Sequence, residues 1–237
     1  NAVYAGTRSE GDSAPTGVLR SIDGGEHWTV PANNGLPAVT ISALVASADT
    51  VYAATGRGLF KTTDTGENWT EADTGIGAGA GPVVALTMLP DGTLFAGTRD
   101  GIFKSADKGA TWTAVNTGLK STHAEFLAVS PDGATLYANS GPNIYRSADK
   151  GTTWEFRSQA PNDSSGPLQI APGAGTTVYI ADRQTGVWSS ADGGGTWTPL
   201  SAGLGTPQVL SLALSSSGRL YAGTSGASVW QTTVKAP

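Results

Sequence analysis

The sequence contains no cysteine, one methionine and two histidines, His27 and His123, nearly a hundred positions apart. Without cysteine there are no disulfides, no thiolate metal sites and no cysteine nucleophile. A chain of 237 residues buries enough core to need no covalent staple, so this absence does not identify a compartment. Two distant histidines make no His-based metal cluster and no Ser-His-Asp set. Charge is sparse too: 14% of residues, against roughly 25% in an average domain. No run of Lys or Arg occurs, and the net charge of −5 excludes non-specific nucleic-acid binding. No apolar run approaches the ~18 residues of a membrane-spanning helix. No glycine-rich phosphate loop leads into a helix, and no stretch has the acidic spacing of an EF-hand. No cofactor and no metal are expected. No signal peptide is visible, and the chain opens inside the strand-like run NAVYAGT. An exported, extracellular location is expected.

What is abundant is glycine, at 33 residues, with 13 prolines and 7 tryptophans spread along the chain. Short runs rich in Thr, Val and aromatics between glycine-containing turns read as strands, not helices. Long helices are expected to be absent.

One octapeptide recurs five times: SIDGGEHW (21–28), TTDTGENW (62–69), SADKGATW (105–112), SADKGTTW (147–154) and SADGGGTW (190–197). Each copy has Ser or Thr two residues before the Asp, Gly two after it and Trp five after it. The shared positions are Asp23, Asp64, Asp107, Asp149 and Asp192, with Trp28, Trp69, Trp112, Trp154 and Trp197. The period is 41 to 43 residues. A second motif occurs six times: VYAGT (3–7), VYAAT (51–55), LFAGT (94–98), LYANS (136–140), VYIAD (178–182) and LYAGT (220–224). The last is followed by VWQTTVK (229–235), with Val234 where the Asp would stand.

A period near 42 with four strand-like runs per unit is the pattern of propeller blades. Each unit reads as an inner strand such as LSLALS (210–215), a turn such as PDG or SSG, a second strand such as LYAGT, a third such as GIFKS (101–105), the octapeptide as a turn, and a fourth strand starting at its Trp. The expected fold is all-β: one domain over 1–237, a six-bladed β-propeller of four-stranded antiparallel blades, with five or seven blades the other counts. The chain starts on a second strand and ends after a third, so the first and last units are each short of strands.

Five evenly spaced octapeptides read as hairpin clips and not as five active sites. Gly tolerates positive φ, the Asp carboxylate and the Ser hydroxyl accept turn N–H groups, and the Trp ring buries a large apolar area. The pattern S/T-x-D-x-G-x-x-W resembles the Asp-box, or BNR repeat, of sialidases, the sortilin family, xyloglucan-cleaving glycosidases and photosystem II assembly-factor propellers. The resemblance covers nearly the whole chain. It implies a propeller whose boxes lie on the face away from the ligand site.

The opposite face then carries the second-to-third strand loops. Four contain an arginine at nearly matching places: Arg8, Arg57, Arg99 and Arg183. They form a candidate anion site, since a guanidinium grips carboxylate or phosphate with a two-pronged fork. The alternative is a set of solvated loop arginines repeated by duplication. The first loop is longer: fifteen positions separate Tyr4 from Leu19, against eight or nine elsewhere. Its insertion RSEGDSAPTG (8–17), with Glu10 and Asp12, reads as a specificity lip or as a tolerated surface loop. Trp188 and Trp230, on third strands, read as packing residues before sugar platforms.

A sialidase would need an Arg triad, a Tyr–Glu pair and an Asp acid. Its Phe/Tyr-Arg-Ile-Pro motif is absent, and Arg20 in VLRSID sits in the wrong context. Tyr4, Tyr52, Tyr137, Tyr179 and Tyr221 belong to repeat strands. Other glycosidases need two carboxylates about 5 to 10 Å apart. Asp100 and Asp182 qualify by location only, and Glu125 beside His123 is a second weak pair. The leading expectation is a non-catalytic binding or assembly module with a glycan or protein partner. A glycoside hydrolase is the alternative, and a spacer within a larger extracellular protein a third.

Overall fold

The structure, a computed structural model, describes residues 2–7, 17–161, 169–182, 184–204, 206, 208–226 and 229–233. The chain forms two compact units, Asn1–Ala114 and Val115–Pro237, divided at the end of one repeat. Among the described residues the only helical segment is a single 3-10 turn, Ala78–Ala80.

The first unit holds three antiparallel sheets. β1 (Val3–Gly6) pairs with β2 (Val18–Ser21). β3 (Ile41–Ala46), β4 (Val51–Thr55), β5 (Gly58–Thr62) and β6 (Thr70–Glu71) form a four-stranded meander. β7 (Ala85–Met88), β8 (Leu94–Thr98), β9 (Gly101–Ser105) and β10 (Thr113–Ala114) form the next. The second unit repeats the plan. β11 (Phe126–Val129), β12 (Leu136–Ser140), β13 (Asn143–Ser147) and β14 (Glu155–Gln159) make one meander. β15 (Gln169–Pro172), β16 (Val178–Asp182), β17 (Gly186–Ser190) and β18 (Thr198–Pro199) make another. A three-stranded sheet of β19 (Val209–Leu214), β20 (Arg219–Thr224) and β21 (Val229–Thr233) ends it.

The expected count of six blades is therefore corrected to five, one of the two other counts the sequence allowed: among the described residues four sheets have four strands and one has three. The first repeat supplies only a hairpin, extended by one bridge between Arg20 and Thr29. Among the described residues β1 pairs only with β2, and β20 lies between β19 and β21 with no fourth strand beyond; the sixth motif is followed by Val234 where the octapeptide Asp would stand.

The second-strand motif forms the middle of each sheet because both of its faces are covered. All five residues of β4, VYAAT, are buried. Successive side chains of a strand point to opposite faces. Val51 and Ala53 accordingly join Val18, Ile41, Phe60 and Trp69 in a core against the first hairpin. Tyr52 and Ala54 join Leu59, Leu94, Phe103 and Trp112 in a core against the following sheet. In the second unit Tyr179, Val187, Val209 and Leu220 repeat this sheet-on-sheet packing. Trp188 packs at the margin of the Ile144–Ile180 cluster and Trp230 at the margin of the Tyr179 cluster.

A glycine after the fourth strand sets how closely neighbouring repeats approach. Gly75 (φ 101°) and Gly118 (φ 95°) lie in the left-handed region, and a Cβ on either would overlap the carbonyl oxygen of the next Trp, Trp112 or Trp154. The same segments accept the backbone N–H groups of those tryptophans, at Thr74 O (2.9 Å) and Thr117 O (2.8 Å).

Candidate functional site

Antiparallel pairing gives each sheet two ends. The first-to-second turn and the octapeptide turn lie at one end. The second-to-third turn and the connection to the next repeat lie at the other.

The octapeptide end is built almost identically five times. In the third copy Ser105 Oγ donates to Asp107 Oδ1 (2.7 Å) and accepts from Gly109 N (2.9 Å). Thr111 donates twice, its backbone N to Oδ1 (2.9 Å) and its hydroxyl to Oδ2 (2.6 Å). In the fourth copy Ser147, Gly151 and Thr153 stand around Asp149 in the same way. Ser190, Gly194 and Thr196 do so around Asp192, and Thr62, Gly66 and Asn68 around Asp64. In the first, Ser21 and the His27 backbone hold Asp23 Oδ1, and His27 Nδ1 lies 2.6 Å from Oδ2. These donors favour the ionised carboxylate. They hold Asp23 and Asp64, through the backbone N–H of His27 and Asn68 first, at a pKa of about 2. The hydroxyls of Thr111 and Thr153 lead in bringing Asp107 and Asp149 to about 2. Asp192 is lowered as well, chiefly by the Thr196 N–H.

The residue before the Trp was not part of the sequence pattern, yet it completes every clip. It is His27, Asn68, Thr111, Thr153 or Thr196, and each side chain reaches the second carboxylate oxygen. The signal was visible in the sequence as an unbroken series of side-chain donors. A second repeating partner comes from third strands: Arg20 Nη1 donates to Thr65 Oγ1 of the next octapeptide (2.7 Å), and Lys61 Nζ to the Lys108 carbonyl (3.2 Å). Tyr52 donates to the same carbonyl at 3.2 Å. In the first copy Asp23, Glu26 and His27 bring one ligand atom each within 4.8 Å, all on an exposed turn. The tryptophans differ: Trp69, Trp112 and Trp154 are buried, Trp197 is half-buried and Trp28 is 41% exposed.

The other end carries the candidate arginines. Thr55 and Thr98 close the two hairpins in the same manner. Their hydroxyls donate to Gly58 O (2.9 Å) and Gly101 O (3.0 Å) and accept from Arg57 N (3.0 Å) and Asp100 N (3.1 Å). The arginines are thus one position out of step. Arg57 is the second residue of its turn and Arg99 the first of its own. Both are exposed. Both border the connection that follows Ile76. Arg57 lines a cavity of about 420 Å³ with Asp73, Ile76, Gly81, Pro82 and Val83. The stem of Arg99 lies against Gly81. Among the described residues Arg57 has no carboxylate within ion-pair distance. Arg8 and Arg183, with Glu10 and Asp12 of the insertion, lie outside the described residues.

Of the candidate acids, Asp100 is exposed beside Arg99. The backbone of Asp182 pairs with Gly186, and its side chain is outside the described set. Glu125 Oε1 stands 3.9 Å from His123 Nε2, and Glu125 Oε2 accepts from the buried Asn139 amide at 3.2 Å. Asn139 occupies a position that is Gly or Ala in the other five repeats, so this polar group is particular to the fourth.

This architecture, all-β with four-stranded antiparallel blades repeated about every 42 residues, defines a β-propeller. The chain belongs to the DUF6242 beta propeller domain family, whose model matches residues 1–126 and, shifted along the repeats, 58–167. Among solved structures it is similar to the extracellular domain of BT4673 from B. thetaiotaomicron (10% identity, TM-score 0.74), over 98% of this chain and 31% of that one. It is similar to the GH74 enzyme of Niastella koreensis (20% identity, TM-score 0.66), over 90% of this chain and 40% of that one. It is also similar to YCF48, solved bound to D1 peptide (19% identity, TM-score 0.65), over 93% of this chain and 73% of that one. The chain spans about a third of the length of the first of these. At such identities the likeness is one of fold. No curated protein sequence matches the chain. No helix among the described residues is long and apolar enough to cross a membrane.

Proposed function

We propose that residues 1–237 act as one non-catalytic binding or assembly module, and that its octapeptides are Asp-box repeats confined to scaffolding. The ligand or partner, an acidic protein segment or acidic glycan, engages the second-to-third strand loops, whose sequences contain Arg8, Arg57, Arg99 and Arg183. The observation that carries this reading is Arg57. It is an exposed guanidinium, held on a closed hairpin, lining a cavity and free of any described counter-ion. No described carboxylate lies within ion-pair distance of it, so its fork of donors is available to an external anion. At the opposite end every box carboxylate is already engaged by its own turn. The YCF48 structure with bound peptide supports a protein partner, and the extracellular BT4673 neighbour supports an exported location.

The test is a thermal-shift panel of acidic peptides and neutral and acidic sugars, because a ligand of the native state raises Tm. An acidic ligand is expected to raise Tm, and the shift is expected to disappear in Arg57→Ala/Arg99→Ala and shrink with added salt. A shift that survives the double variant moves the site elsewhere. Hydrolysis of a chromogenic glycoside that is lost in Asp100→Asn or Asp182→Asn replaces this reading with a glycosidase.

A further inference from the structure

Two cavities adjoin at the Arg57 hairpin. The one that Arg57 lines shares Gly56 and Pro82 with a second, of about 470 Å³. That second cavity is walled by Ala38, Val39, Pro82 and Val84, with Thr40 and Ser42 at its side. Both cavities are open to solvent, the second more than the first, so a ligand would lie along them rather than be enclosed. The Arg57 cavity offers one cation and, from Asp73, one carboxylate acceptor. The neighbouring cavity offers apolar surface. No aromatic residue lines either.

We propose that this double cavity takes an extended peptide. A small aliphatic side chain fills the Ala38–Val39–Pro82–Val84 cavity, and a carboxylate within about two residues of it meets Arg57. The inference rests on the reading that the arginine end binds the ligand, and it selects the peptide over the glycan. Three features of the site select it. A sugar placed over Ala38, Val39, Pro82 and Val84 would set its hydroxyls against apolar carbon, with the side chains of Thr40 and Ser42 the polar groups of that lining, whereas an aliphatic side chain matches the wall. A small carboxylate alone would satisfy Arg57 and leave Asp73 facing it. A peptide brings a carboxylate for the guanidinium and backbone N–H groups for Asp73. The connection at the edge of the cavities carries Gly77, Gly79 and Gly81, so a ligand backbone can come close to it without meeting side chains.

The experiment is a selection of random heptapeptides displayed on phage against the whole chain. Fluorescence anisotropy on the synthesised consensus peptide follows, with glucuronate tested alongside as the sugar acid. The expected consensus has Ala, Val or Ile within two residues of Asp or Glu. Its affinity is expected to fall at least tenfold in Arg57→Ala and at least tenfold in Ala38→Trp. The latter fills the apolar cavity from an exposed position and leaves Arg57 in place. Unchanged Tm values for both variants establish that the fold is intact. Acidic peptides that need Arg57 but show no aliphatic preference and ignore Ala38→Trp would overturn the inference and leave the arginine end as the ligand site. Glucuronate binding that needs Arg57, with no peptide enriched, would do the same in favour of a sugar. No Arg57-dependent binding of any probe would overturn both.

Discussion

The two ends of each blade follow opposite rules. At the octapeptide end each Asp carboxylate is engaged by its own turn. Five carboxylates each accept from a hydroxyl, from backbone N–H groups and from the side chain before the Trp. At the arginine end the two described hairpins are closed by one Thr hydroxyl each, and Arg57, Arg99 and Asp100 are exposed. The difference teaches which end can vary. A turn that satisfies itself must keep all its members, so it recurs. A turn closed by one threonine leaves its two loop residues open to change, and they differ: Gly56-Arg57 in one repeat, Arg99-Asp100 in the next.

Acid attacks the first end at all five positions together. Each box Asp has a folded pKa below the unfolded value of about 3.9. Its contribution is complete above the unfolded value and is lost as pH falls towards the folded one, near 2 for four of them. Urea midpoints are expected to be flat above pH 5 and to drop steeply between about pH 4 and 2. Asp107→Asn should lower the midpoint at pH 7 and lose that effect near pH 2. A constant penalty at every pH would mean that shape, not charge, holds the turn.

Burial separates clips that look alike in sequence. Trp112 is 4% exposed and donates its indole N–H to Ala72 O, whereas Trp28 is 41% exposed. Trp112→Ala is expected to cost about 3–5 kcal/mol and Trp28→Ala less than about 1.5, measured by urea unfolding. Equal costs would show that the first repeat is clamped as firmly as the third. A smaller effect follows from the contact between repeats. Tyr52→Phe removes the bond to the Lys108 carbonyl and should cost about 1 kcal/mol. The smallest concerns backbone strain. Lys108 adopts φ 58°, as do Thr65 and Lys150 at the same box position at φ 65° and 54°. Lys108→Gly relieves about 1 kcal/mol of left-handed strain, against a similar entropic penalty from the unfolded chain, so a net change within about 0.5 kcal/mol is expected. Gly109→Ala, one residue on at φ 76°, should instead lower Tm.

Strand order, the antiparallel meander and the place of the octapeptide at the third-to-fourth turn were legible, because strand and turn chemistry is local and was repeated five or six times. The blade count was legible only in part. The motifs number six, but a blade also needs neighbours to hydrogen-bond, and among the described residues the first motif pairs with a single strand. The candidate arginines were nominated by their recurrence in the sequence. The mismatch of Arg57 and Arg99 in turn position, and the cavity that Arg57 lines, depended on strand register. The polar group of Glu125 and Asn139 was half seen. The acid and its histidine neighbour lie together in sequence, whereas the amide that holds the acid comes from the next strand.

What the sequence by itself determined was everything within reach of a few residues: the turn that Gly, Asp and Ser must make, the two-faced strand that VYAAT must be, and the period at which they return. What only the tertiary structure decided was which repeated positions end up alike. Trp112 and Trp28 share a motif but not a burial, because burial depends on whether a neighbouring sheet covers the ring. Arg57 and Arg99 belong to successive hairpins at different turn positions, yet the connection after Ile76 brings both beside Gly81, Arg57 across a cavity and Arg99 through its stem. Local hydrogen bonding repeats with the sequence; packing depends on what lies next door.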